Sequence, residues 1–286
     1  MVKDIDDTKA PLLDHLVELR TRLIRSVIAI LVLFVACYFV AEYIYGFLVR
    51  PLAELYDREG ARLIFTALHE VFFTYVKVAL FAALFIAFPF VAMQLWMFVA
   101  PGLYKTEKHA FLPFLVLTPV LFFAGGALVY YLIFPLAWQF FLSFETAGAT
   151  GALPIQLEAK VSEYLSLVMK LIFAFGLSFE LPLLLTLMAR VGMVTSKGLA
   201  EKRKYAIVLA FVAAAILTPP DPISQISLAI PIVLLYEVSI VSVRFVERRR
   251  RERDEAEEGA PGAAAATAGD GGEEAVEETD FNLGRE

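Results

Sequence analysis

Residues 26–41 read SVIAILVLFVACYFVA, and not one of the side chains carries a charge. The run continues outward to about residues 24–48, long enough for a helix to cross the hydrocarbon of a bilayer, which takes roughly 20 apolar residues. It exceeds a secretory h-region and further runs follow it, so it is read as retained. Five more runs are predicted as spans: about 71–99, 110–135, 163–189, 205–217 and 225–243, the last two short. With 59% hydrophobic residues and a mean hydropathy of +0.69, the chain reads as an all-α integral membrane protein with six transmembrane helices. Prolines at 89, 113, 119, 135, 182 and 231 predict kinks and a concave bundle.

The net charge of −6 misleads, because the segment from Asp254 onward supplies much of the acid. Basic residues crowd one set of flanks: Arg20, Arg22 and Arg25, Lys105 and Lys108, Lys202 to Lys204, and Arg248 to Arg251. The opposite flanks hold few, which predicts both termini on the cytoplasmic side. Three regions follow: a cytoplasmic amphipathic segment at 1–23, a membrane domain at 24–247, and a disordered tail, basic then acidic, at 248–286. The tail is rich in Ala, Gly, Glu and Asp and cannot bury a core. Cys37 is the single cysteine, which excludes an internal disulfide and a Cys-based metal site. His15, His69 and His109 are scattered, so the residues assemble no hydrolytic constellation and an enzyme is not expected.

The segment before the first run, PLLDHLVELRTRL at 11–23, places Leu12, Leu16, Leu19 and Leu23 on one helical face. It is predicted to lie on the membrane before the chain turns inward. Glu18 precedes Arg22 by four residues, the favourable order for a helical ion pair, and that pair alone accounts for it. Glu180, in SFELP at 178–182, lies inside an apolar run, where a carboxylate costs several kcal/mol unless protonated, paired or wet. Its partner is expected on another span, with Gln94 at a matching depth. A structural hydrogen bond and a functional polar site both remain open for it. Lys77 and Lys170, near their helix starts, are expected to snorkel to the interface. In LTPPDPISQ, 217–225, Asp221 is expected to cap the next helix through the amides of Ile223 or Ser224.

HLVELRTRL, FVAPGLYKTEKH, SFELP and LTPPDPISQ occur in that order within residues 11–247, and together they resemble TatC, the multispanning receptor subunit family of the twin-arginine (Sec-independent) protein translocase. Arg50-Pro51-Leu52 also resembles the family's first outer loop. The resemblance implies recognition of the twin-arginine signal peptides of folded cargo on the cytoplasmic face of the inner membrane, with export driven by the proton-motive force. The implied signal-peptide site is Glu18, Phe98 and Glu107, with Arg20, Leu103 and Tyr104 beside them. Glu180 and Gln94 match an intramembrane polar site for single-span TatA/TatB-type partner subunits. Pro51 and Asp221 match outer-face positions for assembly or transport. Further copies of the chain in a receptor complex and membrane lipid are the other implied partners; nucleic acid, metal and cofactors are not implied. The competing reading is a proton-coupled secondary transporter of a small solute, with Glu180 as coupling carboxylate.

Overall fold

The computed structural model describes residues 6–55, 62–103, 108–146, 153, 155–217 and 222–266, with side chains described for 15–55, 62–98, 114–146, 153, 155–217, 225–252 and 255. The described architecture is helical: α1 (Asp6–Phe39), α2 (Ala41–Ala53), α3 (Glu70–Leu103), α4 (Lys108–Leu128), a π-helical turn (Val129–Ile133), α5 (Phe134–Leu142), α6 (Val161–Ser178), α7 (Leu181–Arg190), α8 (Ser196–Glu201), α9 (Arg203–Leu217) and α10 (Pro222–Ala266). Among the described residues five segments are long and apolar enough to cross a membrane: His15–Phe39, Glu70–Phe98, Phe114–Leu142, Val161–Arg190 and Gln225–Glu252. Helix α9, at 15 residues, is about 22 Å long and falls short of a roughly 30 Å hydrocarbon core.

Two boundaries differ from the sequence reading. No turn separates the amphipathic segment at 11–23 from the apolar run after it, because α1 runs unbroken for 34 residues, about 50 Å. Its leucines merge with the apolar run that follows, and nothing between Leu23 and Ile24 interrupts helical spacing. The break falls at Val40 instead, at φ −111° and ψ 15°. The second difference is the tail, expected to be disordered from 248. Helix α10 is drawn on through Ala266. Arg, Glu and Ala are strong helix formers, and Arg248 pairs with Glu252 four residues on at 2.8 Å. Such a helix extension needs no core.

Pro135 and Pro182 each stand at the second position of a helix, α5 and α7. Pro135 has no N–H for the Tyr131 carbonyl, and the chain takes up the slack in the π turn, where the Phe134 amide reaches Val129 five residues back. Pro182 likewise leaves the Ser178 carbonyl without its donor. There α6 ends, the Glu180 amide tightens onto the Leu177 carbonyl at 3.1 Å, and α7 starts. Pro89 and Pro231 lie inside the continuous helices α3 and α10.

Helix α6 is the buried axis of the bundle: Leu165, Val168 and Phe175 are fully enclosed and pack with Leu48, Val78, Val129, Phe134 and Leu228. Helix α4 lies hard against it. A Cβ on Gly125 would stand 2.6 Å from the Phe175 carbonyl oxygen, and one on Gly176 would meet the Phe122 ring at 2.7 Å. Phe122 in turn stacks on Phe88 at 3.6 Å. Helix α1 is peripheral and presents Val27, Ile28, Leu31, Val32 and Val35 outward, as a lipid-facing helix does. It and the start of α2 meet α3 through small residues, with Cys37 and Ala41 against Ala79, Ala82 and Ala83. Cys37 is thus a small packed hydrophobe. At the far end of the bundle Glu247 of α10 accepts from the Ser196 amide and hydroxyl, and Arg203 pairs with Glu237 at 2.7 Å, tying α8 and α9 to α10.

Candidate functional site

The continuity of α1 and its packing along α3 bring His15, Glu18 and Arg22 beside Gln94 and Phe98. The Arg22 guanidinium donates from Nε (2.9 Å) and Nη2 (2.6 Å) to a single oxygen of Glu18, Oε1. Its Nη1 reaches the Gln94 side-chain oxygen at 3.3 Å. The ion pair foreseen within the helix therefore forms, and Gln94 fixes its far side. The His15 ring stacks flat on Phe98, with centroids 4.1 Å apart and planes 12° apart. His15 Nδ1 stands 3.8 Å from Glu18 Oε2, beyond hydrogen-bond reach. Among the described residues Oε2 thus accepts no hydrogen bond, on a side chain 35% exposed, whereas Arg22 is only 18% exposed. The result is a carboxylate held in one orientation, with one oxygen unbonded among the described residues, beside an aromatic face.

That geometry can accept a cation. Arginine offers paired planar donors that match a carboxylate, and a charge-assisted bond at a partly dry interface is stronger than a neutral one. Because Arg22 already neutralises Glu18, a doubly cationic ligand needs a further carboxylate for charge balance. Arg20 on α1 is exposed. Of the other residues named from sequence, Tyr104 and Glu107 lie outside the described residues, and Leu103 is placed only as the last residue of α3.

The second polar site lies at the α6–α7 break. Glu180 is 6% exposed and occupies the N-cap position of α7, yet its side chain makes no capping bond. It turns toward α4, where Thr118 is within hydrogen-bonding reach. The Trp96 indole donates to the Thr118 hydroxyl at 2.9 Å, so that hydroxyl has its own proton free for Glu180. Glu180 Oε1 is buried without a hydrogen-bond partner among the described residues. The expected partner Gln94 is not the one found, since Gln94 is engaged by Arg22. Sequence inspection missed His15, Thr118 and Trp96. Thr118 was detectable as a hydroxyl inside an apolar run; the His15–Phe98 stack requires knowledge that α1 and α3 are neighbours.

Pro51 is buried inside α2, and beside it Arg50 pairs with Glu54 at 2.7 Å. Asp221 lies outside the described residues, and so does its expected cap.

Comparison with known proteins places these features in a family. Residues 14–231 match the family described as Sec-independent protein translocase protein (TatC). The Sec-independent protein translocase protein TatC of Magnetococcus marinus is 56% identical over 244 residues, covering 85% of this chain and 88% of that protein. The TatC protein of Rickettsia prowazekii is 44% identical, covering 83% and 94%. A crystal structure of a twin arginine translocase receptor, TatC, superposes with a TM-score of 0.71 at 37% identity, covering 82% of this chain and 99% of that one.

Proposed function

The chain belongs to the TatC family of multi-pass membrane proteins, a protein translocase component and not an enzyme, and on that premise we propose that it is the subunit that recognises twin-arginine signal peptides. The observation that carries the reading is the carboxylate of Glu18, oriented by Arg22 and open at Oε2, beside the stacked His15–Phe98 pair. One peptide guanidinium takes Glu18 and the other takes Glu107, while Phe98, Leu103 and Tyr104 hold the apolar residues that follow and Arg20 borders the site. Glu107 supplies the charge that the Glu18–Arg22 pair has already spent internally.

In the same reading the chain crosses the inner membrane six times, α9 making a short fifth span, as a kinked and concave bundle with both termini cytoplasmic. The flank bias in Lys and Arg supports that orientation. Glu180 receives a polar group from a single-span TatA/TatB-type subunit; its unpartnered buried oxygen supports this, because such an atom costs about 1–3 kcal/mol until a donor arrives. Gln94 contributes by fixing Arg22, and Pro51 and Asp221 serve assembly on the outer face. Export of folded cargo then draws on the proton-motive force through those partners, within a complex of several copies.

The test is photo-crosslinking of a twin-arginine signal peptide to membranes containing the full chain. Glu18→Ala and Glu107→Ala are each expected to reduce the adduct several-fold, as is replacement of both peptide arginines by lysine. Undiminished adducts in all three cases would refute the site. A small-solute transporter is not favoured by membership of a protein translocase family.

A further inference from the structure

At the end of the bundle opposite Glu18, a cavity of 960 Å³ opens between α3, α5, α6 and the end of α9. Its acids are matched: Glu158 with Arg62 at 3.5 Å, and Glu163 with Lys160 at 3.6 Å. Two lysines on its wall, Lys77 of α3 and Lys170 of α6, have no ion pair or hydrogen bond among the described residues. Lys77 lies seven residues into α3 and Lys170 nine into α6, depths of about 10 and 13 Å along the helices. Snorkelling accounts for one cation at such a depth. Both side chains are exposed, and two on different helices facing one open cavity leave a positive wall with no acid paired to them among the described residues.

A second observation is independent of the charge. Trp138 is 6% exposed, lines the same cavity, and its indole N–H closes no hydrogen bond among the described residues. The Tyr164 hydroxyl beside it donates to the Leu48 carbonyl at 3.1 Å and keeps acceptor capacity toward the indole without closing that bond. A carbonyl of a bound molecule can complete the hydrogen bonding of this donor. A third is shape. Trp138, Phe141 and Leu167 also line an adjoining apolar cavity of 440 Å³ between α5, α6 and α10, reaching Leu228 and Pro231. Two cations, one orphan donor and a contiguous apolar slot follow one another in the order phosphate, ester carbonyl and acyl chain.

We propose that this pair of cavities is a binding site for an anionic glycerophospholipid. Lys77 and Lys170 hold the headgroup phosphate, the Trp138 indole donates to a glycerol ester carbonyl, and one acyl chain lies between α5, α6 and α10. The site is separate from the proposed signal-peptide site and does not depend on it.

Trp96 and Trp138 are the two tryptophans of the chain, so Trp96→Phe leaves Trp138 as its own reporter. Full-length Trp96→Phe protein would be reconstituted into phosphatidylcholine vesicles carrying increasing fractions of phosphatidylglycerol or phosphatidylcholine brominated in one acyl chain. Brominated phosphatidylglycerol is expected to quench Trp138 at a mole fraction about ten-fold lower than brominated phosphatidylcholine. Adding Lys77→Gln and Lys170→Gln should abolish that preference, and Lys77→Arg with Lys170→Arg should retain it. Millimolar inorganic phosphate should leave the quenching unchanged. Equal quenching by the two lipids, or a preference that survives the glutamine pair, would overturn the proposal. So would displacement by inorganic phosphate, which marks a free-anion site, or protection from both lipids by a copurified single-span protein, which marks a protein groove. Unchanged melting of the glutamine variant in detergent separates lost binding from lost fold.

Discussion

Glu18 is read differently once its surroundings are known. From sequence it is half of a helical ion pair, and that pair does form. A helical pair four residues apart contributes about 0.2–0.5 kcal/mol, so stability alone gives it little value. What it supplies is orientation, because both Arg22 donors bind one oxygen and leave the other open. Phe98→Ala should therefore weaken signal-peptide binding in two ways, by removing an apolar contact and by releasing His15; a fluorescence titration should register a loss of roughly ten-fold, near 1.4 kcal/mol. Thr118 is the other residue whose role only the fold reveals. Thr118→Val removes the acceptor for Trp96 and the hydroxyl beside Glu180 together, leaving buried polar groups unpaired at about 1–3 kcal/mol. A melting point lowered in detergent, with weaker copurification of single-span partners, is the expected result.

Among the elements, the positions of the apolar helices were legible because runs of twenty uncharged residues have few alternatives in water or lipid. The boundaries were less so. The turn expected at residue 23 is absent because an amphipathic stripe and an apolar run share one helical period, and no Gly or Pro separates them. The extension of α10 to Ala266 was hidden because a lack of core-forming residues resembles disorder, although Arg, Glu and Ala favour a helix. Helix proximity was not legible at all. The close approach of α4 and α6 rests on Gly125 and Gly176, which in sequence are two among 16 glycines. Gly125→Val would drive its side chain into the Phe175 backbone, which cannot yield like a flexible side chain. Destabilisation of about 1–3 kcal/mol is expected, read as a lowered melting temperature in detergent; an unchanged melt would show that α4 can shift.

For the molecule as a whole, family membership and a bundle of membrane helices agree, while orientation and the count of six spans belong to the proposal. Both can be read with a membrane-impermeant thiol reagent, after Cys37→Ser removes the one native thiol. Single cysteines placed at Thr8 and Ala256 should label from the cytoplasmic side, and one at Ala67 from the other; Thr8 and Ala256 labelling from opposite sides would leave an odd number of spans. Of the candidate sites, Glu180 stood out by residue type and position and Glu18 and Phe98 only through the family resemblance, whereas Gln94 was assigned to the wrong partner because depth along two helices does not say which faces meet. The central claim is that Glu18 reads arginine. A double-mutant cycle on the purified full chain measures it, combining Glu18→Gln with replacement of the paired peptide arginine by lysine in a fluorescence binding titration. The account predicts non-additive losses, with a coupling of about 1 kcal/mol or more between the two changes; losses that simply add would contradict it.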